Sequence, residues 1–403
     1  MQKGNLLILV TCQLISATGS IVIVTLGGII GAQFAPNPAW ATLPVSMMVV
    51  AVAATTVPAT MLMRSIGRRL GFATASLSAV FAVAVMVQAL ATSSFVLFIV
   101  AGALFGINMA FTQQYRYAAA ESVPAAYTAR AVSFVLLGAI GGAIVGPELA
   151  TRGQFWIEDI PYAGTMVALA VLYLLQALLL LKLEAARARE TGHVERTARP
   201  VGEIVRQPVY LVAVLGGTVG YGLMTLIMTA TPISMHVNDG YSIEQTASVI
   251  RWHVLGMYVP SLVSGFLIDR LGVARLMFAG AGLLLITSVI GLQGQSVLHY
   301  WWALVLLGVG WNFLYVGGTT MLTYTYSMAE RFRAQAVNEF LVFGTAAAAS
   351  LLAGTVMHYF GWFRLMLIPI PILILICLAL LFVRRHPVLR RAGGAVSLDA
   401  QKL

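Results

Sequence analysis

The sequence predicts an all-α integral membrane protein, with twelve transmembrane helices in two pseudo-symmetric six-helix bundles and both termini cytoplasmic. Three observations carry that expectation. The first is composition: 60% of the 403 residues are hydrophobic and 9% are charged, where a soluble domain has about 25% charged. So few charges cannot cover a solvated surface. This excludes a soluble enzyme, a nucleic-acid-binding module and a disordered scaffold. The second is a series of twelve apolar runs, each near the roughly 20 residues that cross a bilayer core. The third is charge asymmetry. With the N-terminus inside, twenty of the 24 Lys and Arg residues fall on the cytoplasmic side, and only Arg152 and Arg364 fall outside. Arg116 and Arg251 lie within runs. That is the positive-inside pattern, and it accounts for the net charge of +10 without invoking nucleic acid.

The runs of the first half are 5–31, 41–63, 72–92, 95–118, 128–150 and 163–183; those of the second are 209–234, 245–268, 275–294, 299–324, 335–357 and 364–383. The first is too long for a secretory signal and reads as a retained span. The organisation follows: 1–183 as an N-terminal bundle, 184–207 as a cytoplasmic linker, 208–383 as a C-terminal bundle and 384–403 as a cytoplasmic tail. The linker has mixed charge and no period, so it reads as solvated chain with some helix. Cys12 and Cys377 sit in apolar runs at opposite ends of the chain, which argues against a disulfide framework.

The halves echo each other. Gly106-Ile107-Asn108 matches Gly310-Trp311-Asn312, Phe111 matches Tyr315, Gly67 matches Gly272, and Ala131-Val132 matches Ala336-Val337, at offsets of 204–205. Parallel repeats of this kind place a substrate site near the midplane, between the halves.

The loop after the eighth run reads Gly265-Phe266-Leu267-Ile268-Asp269-Arg270-Leu271-Gly272. It meets every fixed position of G-x-L-x-D-R-x-G, and here the chain resembles the major facilitator superfamily of secondary transporters. The first-half copy, 60–69, keeps Gly67-Arg68-Arg69 but has Arg64 at the Asp position. Arg64 reads either as a partner of Glu330 or as an arginine snorkelling to lipid headgroups. The fifth run carries Gly138, Gly142, Gly146 and Pro147. This partly resembles the superfamily's antiporter motif, and small residues also pack helices in lipid by themselves. The relay arginine of many proton-coupled exporters is missing from the fourth run, where Gly102 stands four residues before Gly106.

The resemblance implies a carrier working by alternating access, from a drug/proton antiporter-like bacterial branch in the cytoplasmic (inner) membrane. Its partners are a small organic substrate, protons and lipid, with no nucleic acid, no cofactor and no metal, and a monomer is expected. Asn108, Phe111, Arg116, Trp311, Asn312 and Tyr315 are substrate-cavity candidates. Arg116 reads equally as cavity-facing or lipid-facing. Glu339 is the candidate proton carrier, since a charge inside a span is costly and burial raises a carboxyl pKa; a fixed ion pair with Arg333 or Arg64 is the competing reading. His253 is a second proton candidate, with a hydrogen-bonded structural role as the alternative. Glu148 with Arg251 is expected as an outer latch, and Asp269 with Arg130 as an inner one. Enzyme motifs such as H-E-x-x-H, G-x-S-x-G and the P-loop are absent. Export of amphipathic molecules, suggested by the Gly-Pro motif, is the leading expectation. The alternative is uptake of a nutrient, organic anion or vitamin, and a non-transporting sensor is a minor third.

Overall fold

A computed structural model describes residues 3–122, 128–184, 199–327, 330–387 and 389. The described chain is helical, because a bilayer interior offers no water to satisfy backbone N–H and C=O groups. The first half forms α1 (Lys3–Phe34), α2 (Leu43–Ile66), α3 (Arg68–Ala91), α4 (Phe95–Thr112) continued by α5 (Tyr115–Glu121), α6 (Thr128–Arg152) and α7 (Ala163–Leu180). A short α8 (Val201–Val205) precedes the second half. That half forms α9 (Pro208–Pro232), α10 (Ile243–Tyr258), α11 (Ser261–Leu271), α12 (Val273–Gln293), α13 (Val297–Thr323), α14 (Arg331–Leu367) and α15 (Pro369–Val383).

Helix occupies each of the twelve apolar runs. By length and apolarity, nine helical stretches among the described residues can cross a membrane, or ten when α10 and α11 are joined as one bent span. One of the nine, Arg333–Val383, holds the last two runs; it breaks at Gly361, whose φ of +69° is open to glycine. The fifth run is filled by α6.

The chain divides into two units. One comprises 1–189, 228–255 and 350–361; the other comprises 190–227, 256–349 and 362–403. Thus α9, α10 and α14 each contribute residues to both.

In the first unit, α6 packs along α1 through its small-residue stripe. A Cβ on Gly142 would lie 2.5 Å from the Ala17 Cβ and 2.8 Å from the Thr18 backbone nitrogen. A Cβ on Gly146 would meet Ile21 at 3.0 Å. Lipid tails are as apolar as leucine, so this close backbone approach supplies the attraction between the two helices. A buried polar knot adds to it. Gln176 on α7 accepts a hydrogen bond from Ser16 Oγ (3.0 Å), and its amide donates to Ser76 Oγ (2.8 Å) and to the Tyr115 hydroxyl (3.1 Å). Four helices are joined by one fully buried side chain.

The internal repeat holds in backbone geometry at the loop glycines. Gly67 (φ +83°, ψ 155°) and Gly272 (φ +87°, ψ 147°) have nearly the same conformation, which a Cβ would strain. Gly265 has no such demand: a Cβ there meets nothing within 4 Å, so helix approach does not explain that motif position.

Replacing Gly142 by Leu forces α1 and α6 apart and is expected to cost about 1–3 kcal/mol. Gly282 on α12, which has open space around its Cα, tolerates the same change. Thermal unfolding of the two variants in detergent checks the difference.

Candidate functional site

The second unit holds a cluster of aromatic rings drawn from four helices. Trp311 and Tyr315, one turn apart on α13, stack at 5.1 Å with their planes 9° apart. Tyr221 of α9 meets both edge-on, at 5.5 Å and 5.6 Å, and also meets Phe343 of α14 at 5.5 Å. Tyr258, at the end of α10, meets Trp311 at 6.3 Å. Trp311 is buried, while Tyr221, Tyr258 and Tyr315 are half-buried. Such ring pairs add about 0.5–1.5 kcal/mol each beyond area burial. The Trp311 indole N–H has no hydrogen-bond partner among the described residues. A buried donor left unmet costs about 1–3 kcal/mol, so packing alone would be better served by Phe or Leu.

Beside the cluster, Asn312 pins the bend between α10 and α11. Pro260 has no N–H to continue the helical ladder, and the two helices meet at 42°. Asn312 donates to the Met257 carbonyl (2.8 Å) and to Ser261 Oγ, and accepts from Ser264 Oγ (2.7 Å). Its polar atoms are thus taken up in shaping this span. The repeat-related Asn108 is also buried, donating to the Ala75 carbonyl of α3 (2.9 Å), and Phe111 lies in the apolar core of the first unit. The structure therefore places Asn108 and Phe111 in helix packing, while Trp311 and Tyr315 join the aromatic cluster. Arg116 donates to the hydroxyl of its neighbour Tyr117 (3.3 Å) and lies over that ring at 4.9 Å. Tyr117 is exposed.

The outer face of the first unit joins segments from both halves of the sequence. Arg251 of α10 donates to Glu148 Oε1 at 2.6 Å, and Arg152 donates to Glu148 Oε2 at 3.1 Å. Pro147, just before Glu148, sits within α6. Ser46 of α2 donates to the Ser350 carbonyl of α14 (2.7 Å), and Thr42 accepts the N–H of Gly354 (3.1 Å). A Cβ on Gly28 of α1 would touch Ile233, just beyond α9, at 3.4 Å. These contacts close the outer ends of α1, α2 and α6 onto those of α9, α10 and α14. His253 is fully buried on α10, and Glu339 is half-buried on α14 beside buried Asn338.

On the cytoplasmic side, Asp269 and Arg270 lie at the end of α11, with Arg270 over the Phe266 ring at 4.5 Å. The side chain of Arg130, the expected partner of Asp269, lies outside the described residues, as does that of Arg64. Glu330 is engaged from the linker. Both its oxygens are held by Arg199 of the linker, Nε to Oε1 at 2.7 Å and Nη2 to Oε2 at 2.9 Å. The Arg199 backbone N–H also donates to Oε1 (3.0 Å), and the Ser327 N–H donates to Oε2 (2.9 Å). Arg199 and Gln207 share the Thr325 carbonyl. The last part of the linker, though largely exposed, is therefore anchored at Arg199: a bidentate guanidinium fits a carboxylate better than a loose charge does. Arg199, then the Ser327 N–H, hold the Glu330 carboxyl well below the usual carboxylate range.

A family model described as the Major Facilitator Superfamily matches residues 9–250 and 213–401. The chain is 37% identical over 380 residues to the riboflavin transporter RfnT of Brucella anthropi, covering 94% of this chain and 95% of that one. It is 29% identical to the uncharacterized MFS-type transporter YdeG of Bacillus subtilis, covering 91% and 89%. Among solved structures, a bacterial homolog of the human lysosomal transporter Spinster superposes with a TM-score of 0.72 at 14% identity, covering 94% of this chain and 96% of the other.

Two outcomes follow from the ion pairs. Glu330 has its carboxyl pKa lowered on folding, so the Arg199 clasp is complete above about pH 4.5 and is lost only as pH falls through the lowered value. Linker docking, read by limited proteolysis, is expected to be unchanged between pH 5 and 8 and weakened at all these pH values in Glu330→Gln. Arg251 and Glu148 are both partly exposed, at 29% and 42%, where such pairs contribute about 0.2–1 kcal/mol. Arg251→Ala is then expected to lower the ratio of outward-closed to outward-open molecules by no more than about fivefold, measured by spin-label distances across the outer face. An unchanged ratio would remove the pair from gating.

Proposed function

The chain belongs to the major facilitator superfamily, and from that premise we propose that it takes up riboflavin, or a closely similar flat vitamin, by proton-coupled alternating access. It is a membrane transporter and not an enzyme. The observation that carries the finer reading is the 37% identity, end to end, with a riboflavin transporter. It favours the uptake alternative over the export suggested by the Gly-Pro motif. On this reading the motif glycines serve the α1–α6 contact, where Gly142 and Gly146 are closely packed.

The chemistry of the cluster supports the same substrate class. An isoalloxazine ring is flat, uncharged at neutral pH and rich in carbonyl and ring-nitrogen acceptors. It calls for aromatic faces and a hydrogen-bond donor, not for a buried cation. Tyr221, Tyr258 and Tyr315 offer the rings, and the Trp311 N–H is a donor without an acceptor among the described residues. Arg116, engaged with Tyr117, is not required. Binding is expected to draw on apolar stacking plus a few placed polar groups, as small-molecule sites generally do. Glu339 is the carboxyl we assign to proton coupling: it is the acidic residue carried within the eleventh run, where charge is costly unless it serves a step in the cycle.

The test uses purified protein in right-side-out liposomes, labelled riboflavin outside and an acid-outside pH step. Accumulation inside is expected. Trp311→Leu is expected to lower initial uptake at least about tenfold, the loss of one stacked ring and one hydrogen bond. Glu339→Gln is expected to abolish pH-driven accumulation while sparing riboflavin exchange. Riboflavin movement only outward, or none, would overturn the uptake reading.

A further inference from the structure

At the cytoplasmic ends of α12 and α15, within the second unit, lies a groove of about 730 Å3. Its lining carries three guanidinium groups, Arg275, Arg384 and Arg385, and no acidic residue among the described residues. All three arginines are exposed. Arg275 is steadied by a hydrogen bond from Nη1 to the Leu271 carbonyl (3.2 Å). The start of α12 forms another part of the wall. Its N-cap is Gly272, which has no side chain to bond the first backbone N–H groups. The positive end of that helix therefore adds to the arginines. One turn further toward the membrane the wall changes character, to Phe278 on α12 and Leu380 and Leu381 on α15.

The internal repeat supplies a comparison within the same chain. The related groove of the first half, about 560 Å3, is lined by Arg68 and Arg69 at the start of α3 and by Leu183 and Glu184 past the end of α7. There Glu184 offsets part of the positive charge. Its backbone is also clamped, with the carbonyl and N–H each bonded to the Asn5 side chain at 3.0 Å. The second-half groove has neither the acid nor the clamp among its lining residues. Cationic charge that no described lining residue offsets, above an apolar wall, matches an amphipathic anion.

We propose that the groove formed by Arg275, Arg384 and Arg385 over Phe278, Leu380 and Leu381 is a binding site for the phosphodiester headgroup of an anionic phospholipid of the inner leaflet. The phosphate oxygens accept hydrogen bonds from the guanidinium groups. The glycerol and first acyl carbons lie along the apolar wall. A free phosphate shares the first interaction but not the second. The layering of the groove, with charge at the cytoplasmic rim and hydrocarbon below it, assigns the lipid as the occupant. Basic residues near a cytoplasmic leaflet each contribute about 1 kcal/mol of attraction to anionic lipid, or roughly fivefold in affinity.

The test uses the full chain purified in a neutral detergent and titrated with short-chain phosphatidylglycerol, phosphatidylcholine or inorganic phosphate. Thermal shift and native mass spectrometry are the readouts. Phosphatidylglycerol is expected to raise the unfolding temperature and remain bound in the gas phase. The triple change Arg275→Gln, Arg384→Gln, Arg385→Gln is expected to weaken that binding at least twentyfold. The corresponding Lys variants keep the charge and retain most of it, which covers the case in which the Gln variant fails to fold. Arg69→Gln in the related groove is expected to leave it unchanged. Equal stabilisation of the Gln variant, or equal stabilisation by phosphatidylcholine, would overturn the site. Equal stabilisation by inorganic phosphate would overturn the lipid as its occupant.

Discussion

A bilayer interior provides no water for the backbone, so every N–H and C=O within it must be satisfied by the protein. The rest of the structure is organised around that constraint. It forces helix throughout the spans, and it makes each break in a helix a place where side chains must compensate. The break at Pro260 shows how. Asn312, Ser261 and Ser264 form a closed set of hydrogen bonds around the bend, taking up the Met257 carbonyl. The bend in turn sets where Tyr258 ends α10, and so where it meets Trp311. A demand of the solvent thus reaches, through one proline and one asparagine, the rings proposed to hold the substrate.

The same constraint limits how firmly one state of the carrier is held. The outer face is closed by a partly exposed ion pair, Glu148–Arg251, and by a few hydroxyl contacts such as Ser46 with Ser350 and Thr42 with Gly354. Interhelical polar contacts in membranes average about 0.6 kcal/mol where measured. A handful of them bias an equilibrium without locking it, which is the range in which a ligand can shift populations. The Arg199–Glu330 clasp differs. It is a bidentate pair on a nearly buried carboxylate, with two backbone donors added. It fixes the end of the linker to the second unit across the physiological pH range.

The helical architecture was open to sequence reading because hydropathy registers each span locally, and Arg and Lys register the sides. The glycine pair Gly67 and Gly272 was visible for a similar reason: a repeat at a fixed offset preserves backbone conformation. What the sequence hid is long-range. Tyr221, Tyr258 and Phe343 lie on three other spans, and nothing in their local context links them to Trp311. The Gln176 knot gathers Ser16, Ser76 and Tyr115 from three distant helices. Arg199 lies in a polar stretch whose composition resembles loose chain, so its hold on Glu330 was not legible; the sequence offered Arg64 as one of two readings there. The repeat also misleads in detail. Asn108 and Asn312 correspond by offset, yet one holds α3 and the other shapes the α10–α11 bend.

The central claim is that the Trp311 cluster receives a flat, acceptor-bearing ring. The most direct measurement is equilibrium binding of riboflavin to the purified chain, followed by quenching of the flavin's own fluorescence, which stacking on an aromatic side chain produces. The account predicts saturable quenching that Trp311→Leu and Tyr221→Leu each weaken at least about tenfold, with Trp311→Phe intermediate because it keeps a ring but loses the donor. Quenching of equal affinity in all three variants would contradict it.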